Sequence, residues 1–239
     1  MKFEVDTHTH TVLSGHAQST LLENAAAAAK KGIAGIVLSD HGPSIQSAPP
    51  DFTISTYSAF PKTILGVHIY YGTEANILDF SGALDIKEEY LEVLDFAIAG
   101  LHGFVLRPGS KTQNTDAVIN TINNKYIDMI SHPDNPSYPI DYEVFIKETG
   151  RLNKIVELNE HSIWYRLHKG AKEKALKILE LCKKHEVRIA VSSDAHICLN
   201  VGECNTAVAV LNEADFPQEL IVNLTKERFD SFLADRSRL

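Results

Sequence analysis

Short apolar runs rich in β-branched residues recur along the whole chain and constrain its fold more than any other feature. Seven of them are strand candidates: KFEV, GIVLSD, HIYYGTEANI, LDFAIAG, YIDMIS, KIVELN and VRIAVSSD. Helical patterns separate these runs, and strands that alternate with helices favour a parallel sheet with crossover connections. At 239 residues, the chain also falls within the length that α/β barrels occupy as one domain. The sequence therefore predicts an α/β fold.

The segments between the strand candidates carry the start and stop signals of helices. In STLLENAAAAAKKG, Ser19 or Thr20 can cap the first turn, and Gly32 follows the last one. We expect a hairpin insertion at Leu78–Ile86, because its DFSG stretch is typical of a turn. No linker, internal repeat or charge block interrupts the pattern, so residues 1–239 are predicted to form one domain. Further helices are predicted over Thr115–Asn124, Tyr142–Thr149, Lys169–Lys184 and Lys226–Leu233.

Composition excludes several classes of protein. A formal net charge of −8 opposes tight binding to a nucleic-acid backbone, so no stable nucleic-acid partner is expected. No apolar run approaches the roughly 18 residues of a membrane span, and the first residues lack a signal-peptide pattern, which predicts a cytoplasmic protein without a membrane partner. Cys182, Cys198 and Cys204 have no C-x-x-C spacing, which argues against disulfides and against a thiolate zinc site. The sequence does not determine the oligomeric state, and a homo-oligomer is compatible with it.

Residues that can bind metal follow the predicted strands at the points where the strands end. Seven of the eleven histidines lie there, with one glutamate and one aspartate. An extended backbone brings the two imidazoles of a His-x-His pair to one face, and in a barrel the carboxyl ends of the strands form the active-site face. A purely structural explanation would require buried imidazoles at the same level of successive strands, which is unusual because histidine is seldom fully buried. These strand-end residues are His8, His10, His41, Glu74, His102, His132, His161, Asp194 and His196.

Imidazoles and carboxylates without thiolates suit zinc, manganese or iron. Nine candidate ligands are too many for one four-coordinate ion, so several metals are predicted.

Taken in order, the motifs DTHTH, a lone histidine, SDHG, GTEANI, GLH, SHP and SDAH span nearly the whole chain. This series resembles the PHP (polymerase and histidinol phosphatase) family, and most of all its stand-alone bacterial phosphatases. The resemblance implies a TIM-like, distorted seven-stranded (β/α) barrel with a trinuclear metal site.

The same resemblance implies how the ligands are shared among three divalent transition metals. Glu74 and Asp194 would organise the metals that generate the nucleophile, with Glu74 bridging two of them. Zinc is the first expectation, and manganese or iron the alternatives. The three implied ligand sets are His8, His10, Glu74 and Asp194; Glu74, His102 and His132; and His16, His41 and His196.

These features predict a phosphatase that hydrolyses a small phosphomonoester by attack of a metal-bound hydroxide. Specificity is expected from the loops Gly42–Phe52 and Phe104–Asn114. An amidohydrolase-like C–N hydrolase is an alternative, but such barrels commonly add a carbamylated lysine at a strand end, and no predicted strand ends in lysine. A PHP-type exonuclease on short oligonucleotides is disfavoured by the acidic net charge. A metal-binding module without catalysis is a further alternative. Loss of some of the family's metal ligands would favour it, but all nine are present in this sequence.

Several other polar residues lie near the predicted site. Asp6 is expected to orient a ligating imidazole by accepting its second N–H. Asn135 and Asn159 are expected to face the site. The segment after the sixth strand offers a cation and free amides for a phosphate, in Arg166, His168 and Lys169. Three histidines are not expected to bind metal: His68, His161 and His185.

Overall fold

Seven parallel strands form a sheet that curves into a nearly closed barrel. The computed structural model describes residues 1–165 and 170–236. The parallel strands pair in the order β1-β2-β4-β5-β6-β7-β8, and β3 pairs antiparallel with β4. The strands are β1 (Val5–Thr9), β2 (Gly35–Leu38), β3 (Thr63–Ile64), β4 (Val67–Asn76), β5 (Phe96–Gly100), β6 (Met129–Ile130), β7 (Ile155–Asn159) and β8 (Ile189–Ser192).

Each of the seven predicted strands overlaps one parallel strand, so the predicted seven-stranded α/β barrel is confirmed. The first prediction, KFEV, is placed too early and shares only Val5 with β1. Closure between the first and last strands is limited. Thr9 forms a parallel bridge with Ala195, and the N–H of His10 donates to the Ala195 carbonyl at 2.9 Å. The first His-x-His pair and the end of β8 are thereby brought together.

Eight α-helices lie in the described part of the chain, and most of them connect one parallel strand to the next. Short 3-10 helices at Val12–Ser14, Asp51–Ala59, Cys198–Asn200 and Gln218–Leu220 complete the connections. The α-helices are α1 (Leu21–Lys31), α2 (Glu88–Leu91), α3 (Lys111–Ile122), α4 (Tyr142–Arg151), α5 (Glu160–Tyr165), α6 (Ala171–His185), α7 (Asn205–Glu213) and α8 (Lys226–Asp235).

Helix ends follow local capping chemistry. Thr20 caps α1 in a reciprocal capping box with Glu23, and Gly32 ends the helix with φ 66°, as predicted. The prediction that the next long helix starts at Thr115 is wrong, because Ser110 and Gln113 form a second capping box that starts α3 at Lys111. The 78–86 insertion is closed by an antiparallel bridge between Ile77 and Leu84, which confirms a hairpin-like turn. The predictions missed β3 and the helices α2, α5 and α7.

The interior of the barrel is apolar at the end where the strands begin. Val5 and Phe96, the first residues of β1 and β5, pack in one cluster with Phe229 and Phe232 of α8. All four side chains are buried. The C-terminal helix therefore closes this end, and a larger apolar cluster fills the space between the sheet and the surrounding helices. Among the described residues, no helix has both the length and the apolar character to cross a membrane.

Candidate metal centre

At the opposite end of the barrel, all nine predicted ligands come together. Each side chain lies in the last three residues of a parallel strand or shortly after the strand, except that of His16, which lies after the 3-10 helix Val12–Ser14. His8, His10 and Glu74 are almost completely buried, whereas His16 is exposed. The cluster therefore runs from the barrel interior to its surface.

Four ligand atoms lie close together at the buried end of the cluster. Nε2 of His8 is 2.9 Å from Nε2 of His10 and 3.3 Å from Oε2 of Glu74. Oδ1 of Asp194 is 3.1 Å from Nε2 of His10 and 3.5 Å from Nε2 of His8. A tetrahedral zinc ion with bonds of 2.0–2.1 Å requires ligand atoms about 3.4 Å apart. The atoms of His8, His10 and Asp194 therefore have close to the spacing that one such ion needs, and Oε2 of Glu74 lies within 3.5 Å of both imidazoles.

Hydrogen bonds fix the orientation of several of the imidazoles. Nδ1 of His8 is 2.7 Å from the Glu157 carboxylate, which only accepts, so Nδ1 is the donor and the neutral ring has its lone pair on Nε2. Burial acts to lower the pKa of His8, but the carboxylates of Asp194, Glu157 and Glu74 raise it well above its usual value, so metal binding at Nε2 would displace a proton. Nδ1 of His16 and of His196 faces the backbone carbonyls of Ser14 and Asp194, each at 3.0 Å. These three rings consequently present Nε2 lone pairs, which is the form that ligates a metal.

His102 is oriented in the same way by an amide. Its Nδ1 is 2.7 Å from Oδ1 of Asn76, whose amide group donates to Asp85 at 2.6 Å and to the Gly42 carbonyl at 3.2 Å. Because the Asn76 nitrogen is the donor in those bonds, its oxygen accepts from His102. The Nε2 lone pair of His102 therefore faces the cluster.

Glu74 places its two carboxylate oxygens toward different imidazoles. Oε2 faces His8 and lies 3.0 Å from Nδ1 of His41. Oε1 lies 3.2 Å from Nε2 of His102 and 3.1 Å from Nε2 of His132. Such an arrangement suits a carboxylate that bridges two cations.

Three buried polar atoms of the cluster make no hydrogen bond to any described residue: Nδ1 of His41, Nε2 of His102 and Oδ1 of Asp194. Unsatisfied buried polar atoms are rare and costly, at about 1–3 kcal/mol each. Because each of these atoms lies 3.0–3.2 Å from an atom of another candidate ligand, cations placed among them would satisfy them. The donor set and its geometry therefore fit metal.

The charges of the cluster agree with metal binding. Burial acts to raise the pKa of Glu74, but the positive charge of His8, His102 and His41 in their protonated forms, the role that cations would take over, holds that pKa well below its usual value. For Asp194, burial acts in the same direction, and the imidazoles of His8, His10 and His196 likewise keep the pKa well below normal. Both groups are therefore carboxylate anions, which is the ligating form.

The third predicted ligand set is reproduced only in part, because His41 and His196 form a group within 4.8 Å with His10 rather than with His16. Nε2 of His16 lies 2.9 Å from Nε2 of His196, and the His16 ring centroid lies 5.1 Å from that of His41. His41 also belongs to a group with Glu74 and His102, within 4.8 Å. It therefore lies between the second and third predicted sets.

A family model described as PHP domain matches residues 6–194. The chain belongs to the PHP domain family. A protein named "Probable phosphatase" from Acetivibrio thermocellus is 42% identical over 233 residues, covering 98% of this chain and 96% of that protein. A "Probable phosphatase" from Clostridium botulinum is 41% identical over 239 residues, covering 100% of this chain and 98% of the relative.

A solved structure shares the fold of this PHP domain. It is the histidinol phosphate phosphatase of Lactococcus lactis, complexed with zinc, L-histidinol and phosphate. The two chains superpose with a TM-score of 0.60 at 15% identity, covering 89% of this chain and 94% of the other.

Two of the predicted ligand positions of this PHP chain have unusual backbone conformations. His132 has φ 33° and Asp194 has φ 53°, values that non-glycine residues rarely adopt. Such strain costs on the order of 1–3 kcal/mol and persists where the surrounding structure enforces it, most often at functional sites. Histidine and aspartate are enriched among the non-glycine residues that adopt this region, but the sequence does not indicate which of them do so.

Sequence reasoning missed Glu157, the buried carboxylate that orients His8. Besides Nδ1 of His8, it accepts from the Ser192 hydroxyl at 2.6 Å and from the backbone N–H of His132. Its position in the apolar run KIVELN is the available signal, because a glutamate on a buried strand face needs polar partners. Glu157 therefore links the positions of His8 and His132.

The expectation that Asp6 orients an imidazole is wrong. Its carboxylate accepts from the backbone N–H groups of Ser193 at 3.0 Å and Gly202 at 2.8 Å, and from the Ser193 hydroxyl. Burial raises the pKa of Asp6, although these hydrogen bonds oppose the shift. Asp6 thus ties the start of the barrel to the segment that follows β8.

The two predicted asparagines have different positions. Asn159 donates to Oδ2 of Asp194 at 3.2 Å and to Glu157 at 3.1 Å, so it supports a predicted ligand. Asn135 instead closes the turn after His132 by accepting the N–H of Ser137 at 3.1 Å. The turn therefore uses the side chain that was expected to face the site.

The remaining candidates lie at the edges of the site or away from it. His161 lies 5.7 Å from His196, measured between ring centroids. His68 packs against Tyr70 at the opening of β4, and His185 lies 2.9 Å from a carboxylate oxygen of Glu143, as expected of framework and surface residues. The predicted phosphate-binding residues lie outside the described residues: Arg166, His168 and Lys169.

A cleft of about 700 Å³ opens directly above the imidazoles. Its floor includes His16, His41 and His102, and its walls come from residues 44–47 and from Phe104. The Phe104 side chain is 97% exposed. The two wall segments belong to the loops that were expected to determine specificity.

Proposed function

We propose that this PHP chain is a metal-dependent phosphatase that hydrolyses a small phosphomonoester. The observation that carries the proposal is the convergence of imidazole lone pairs and two carboxylates at the floor of an open cleft. Because the arrangement contains only nitrogen and oxygen donors, it suits zinc first and manganese or iron as alternatives.

Nine side chains would hold three divalent cations. The short separations around His8, His10 and Asp194 support one four-coordinate position that Glu74 completes. Glu74 would bridge to a second cation held by His102 and His132. The third cation would be held by His16, His41 and His196. This division of the ligands among three cations follows the motifs of the family. His41 lies close enough to Glu74 to bind the second cation as well as the third.

Bound cations would supply Lewis acidity toward the phosphoryl oxygens and would lower the pKa of a water molecule that acts as nucleophile. The chain's own hydroxyls near the cluster are otherwise engaged: Ser14 donates to Asp40 at 2.6 Å and Ser131 donates to Glu74 at 2.5 Å. Asn159 holds Asp194, and Glu157 holds His8. Hydrolysis would therefore need no covalent phospho-enzyme.

The cleft favours a small substrate. Its volume of about 700 Å³ lies in the range of sites for small molecules. Ser44, Gln46 and Ser47 offer uncharged hydrogen-bonding groups, and Ile45 and Phe104 offer apolar surface. We infer that the alcohol part of the ester lies between these walls while the phosphate faces the imidazoles at the floor.

The relatives support the same activity, since two of them are named as phosphatases and a structural neighbour was solved with zinc and phosphate. We propose that residues 1–239 act as one metallohydrolase domain. A cytoplasmic location agrees with three cysteines that form no disulfide, because a reducing compartment keeps thiols free.

The test is activity of the purified, metal-loaded chain against matched phosphomonoesters and phosphodiesters with the same leaving group. Monoesters should react faster, because a terminal phosphate presents three oxygens to the cations and a diester only two. Activity should disappear with a chelator and return with zinc or manganese. His8→Ala should abolish activity, whereas His185→Ala, a histidine outside the cluster, should not. Hydrolysis of diesters or amides without hydrolysis of monoesters would overturn the proposal.

A further inference from the structure

The two imidazoles of the first His-x-His pair are oriented by different means. Nδ1 of His8 meets the Glu157 carboxylate directly, at 2.7 Å. Nδ1 of His10 meets the hydroxyl of Ser14 at 2.9 Å, and that hydroxyl lies 2.6 Å from Oδ1 of Asp40. Each ring is therefore oriented by a carboxylate, which contacts His8 directly and contacts His10 through the hydroxyl of Ser14.

The direction of each proton in this chain follows from the donors and acceptors present. The Asp40 carboxylate can only accept, so the single hydroxyl proton of Ser14 points to it. The Ser14 oxygen must then accept from His10, which places the proton on Nδ1 and leaves the Nε2 lone pair facing Glu74 and Asp194. Ser14 and His10 are fully buried, and Asp40 is nearly so.

Ser14 also contacts the ligands of the third predicted set. Its hydroxyl accepts the backbone N–H of His41 at 3.3 Å, and its carbonyl accepts from Nδ1 of His16 at 3.0 Å. One residue thus contacts His10, His16 and His41. Asp40 fixes this segment further by accepting from the backbone N–H and the hydroxyl of Thr11, each at 2.7 Å.

We propose that Asp40 and Ser14 form a relay that positions His10 and joins the first metal position to the third. The inference rests on the proposed function, in which His10, His16 and His41 bind metal. Asp40 and Ser14 are positioning residues, because their contacts are to the ligands. Loss of a group that orients a ligating histidine typically lowers metal affinity by about 10- to 100-fold.

The test compares Ser14→Ala, Asp40→Asn and the double variant, with metal affinity measured by competition against a chromophoric chelator. Each single variant should weaken zinc binding by about 10-fold or more. The loss in the double variant should be clearly smaller than the sum of the two single losses, because without the hydroxyl the charge of Asp40 no longer reaches His10 through Ser14. The visible absorption of the Co²⁺-loaded protein should change in both single variants, since the ligand geometry around His10 changes.

Thr149→Val provides the matched control. It removes a buried hydroxyl that donates to the Phe145 carbonyl within α4, far from the cluster, and should lower stability without changing zinc affinity or the Co²⁺ spectrum. Ser14→Ala deletes a single oxygen atom and decides the matter even if Asp40→Asn, which also weakens the bonds to Thr11, fails to fold.

Zinc affinity and a Co²⁺ spectrum unchanged in Ser14→Ala would overturn the relay while leaving the proposed function intact. Additive losses in the double variant would also overturn it, because the two residues would then act separately. Absence of zinc binding by the unaltered chain would instead refute the proposed function.

Discussion

The two ends of the barrel are built from the same strands but have opposite chemistry. Where β1 begins, Val5 is buried among apolar side chains that include Phe229. Where β1 ends, His8 and His10 are equally buried among carboxylates and other imidazoles. The apolar end gains free energy from burial, at about 25 cal/mol per Å² of apolar surface. Buried charge at the other end is costly unless it is paired or ligates metal. The apolar end therefore stabilises the barrel that holds the polar end in place.

The largest expected effect concerns the apolar end. Phe229→Ala should lower the free energy of unfolding by about 3–5 kcal/mol, because it leaves a cavity where α8 closes the barrel. Urea denaturation measures the change, and Phe229→Leu, which keeps most of the volume, should cost less. At 25 °C the folded variant should retain its metal. Loss of metal from folded Phe229→Ala protein would show that the two ends are not separable.

Glu74→Gln tests the polar end. The substitution keeps the size of the side chain but removes the charge that offsets two cations. Two metal positions should lose occupancy together, and turnover should fall by about 100-fold or more. Elemental analysis and steady-state kinetics measure the two effects. Full metal content with full activity would exclude a bridging role for Glu74.

Glu157→Gln should have an intermediate effect. The amide can no longer serve as a charged acceptor for Nδ1 of His8, so zinc affinity should fall by about 10- to 100-fold. Chelator competition measures the affinity. Glu143→Gln is the control, because Glu143 pairs with Lys147 and His185 at the surface, away from the cluster. Equal zinc affinities in both variants would remove Glu157 from the support of the metal centre.

Phe104→Ala is expected to have the smallest effect, because the residue lies at the mouth of the cleft. For benzyl phosphate, KM should rise several-fold while kcat changes little, since stacking on an exposed ring contributes about 0.5–1.5 kcal/mol. Glycerol phosphate, which has no ring, should show unchanged constants. Equal changes for both substrates would indicate a general disturbance of the site rather than a contact with the leaving group.

Much of the architecture could be predicted because its signals are local. The seven apolar runs became the seven parallel strands, and the capping residues of α1 act as predicted. Ligand candidates could be recognised because metal chemistry restricts residue types and the carboxyl ends of parallel strands meet at one end of a barrel.

The residues that orient the ligands could not be recognised in this way. Glu157 and Asp40 act through hydrogen bonds to residues 149 and 26 positions away, His8 and Ser14 respectively, and such pairs depend on the register between strands. Aspartate and histidine are enriched in left-handed backbone, but which of them adopt it, here His132 and Asp194, depends on tertiary packing. The start of α3 was missed although Ser110 and Gln113 have the spacing of a capping box.

Metal stoichiometry tests the central claim, that the polar end of the barrel is a multinuclear metal centre. Protein purified without chelator and saturated with zinc should contain close to three metal ions per chain by elemental analysis. His185→Ala protein should give the same value, whereas His8→Ala protein should contain fewer ions. A saturating value of one ion per chain, or none, would contradict the account.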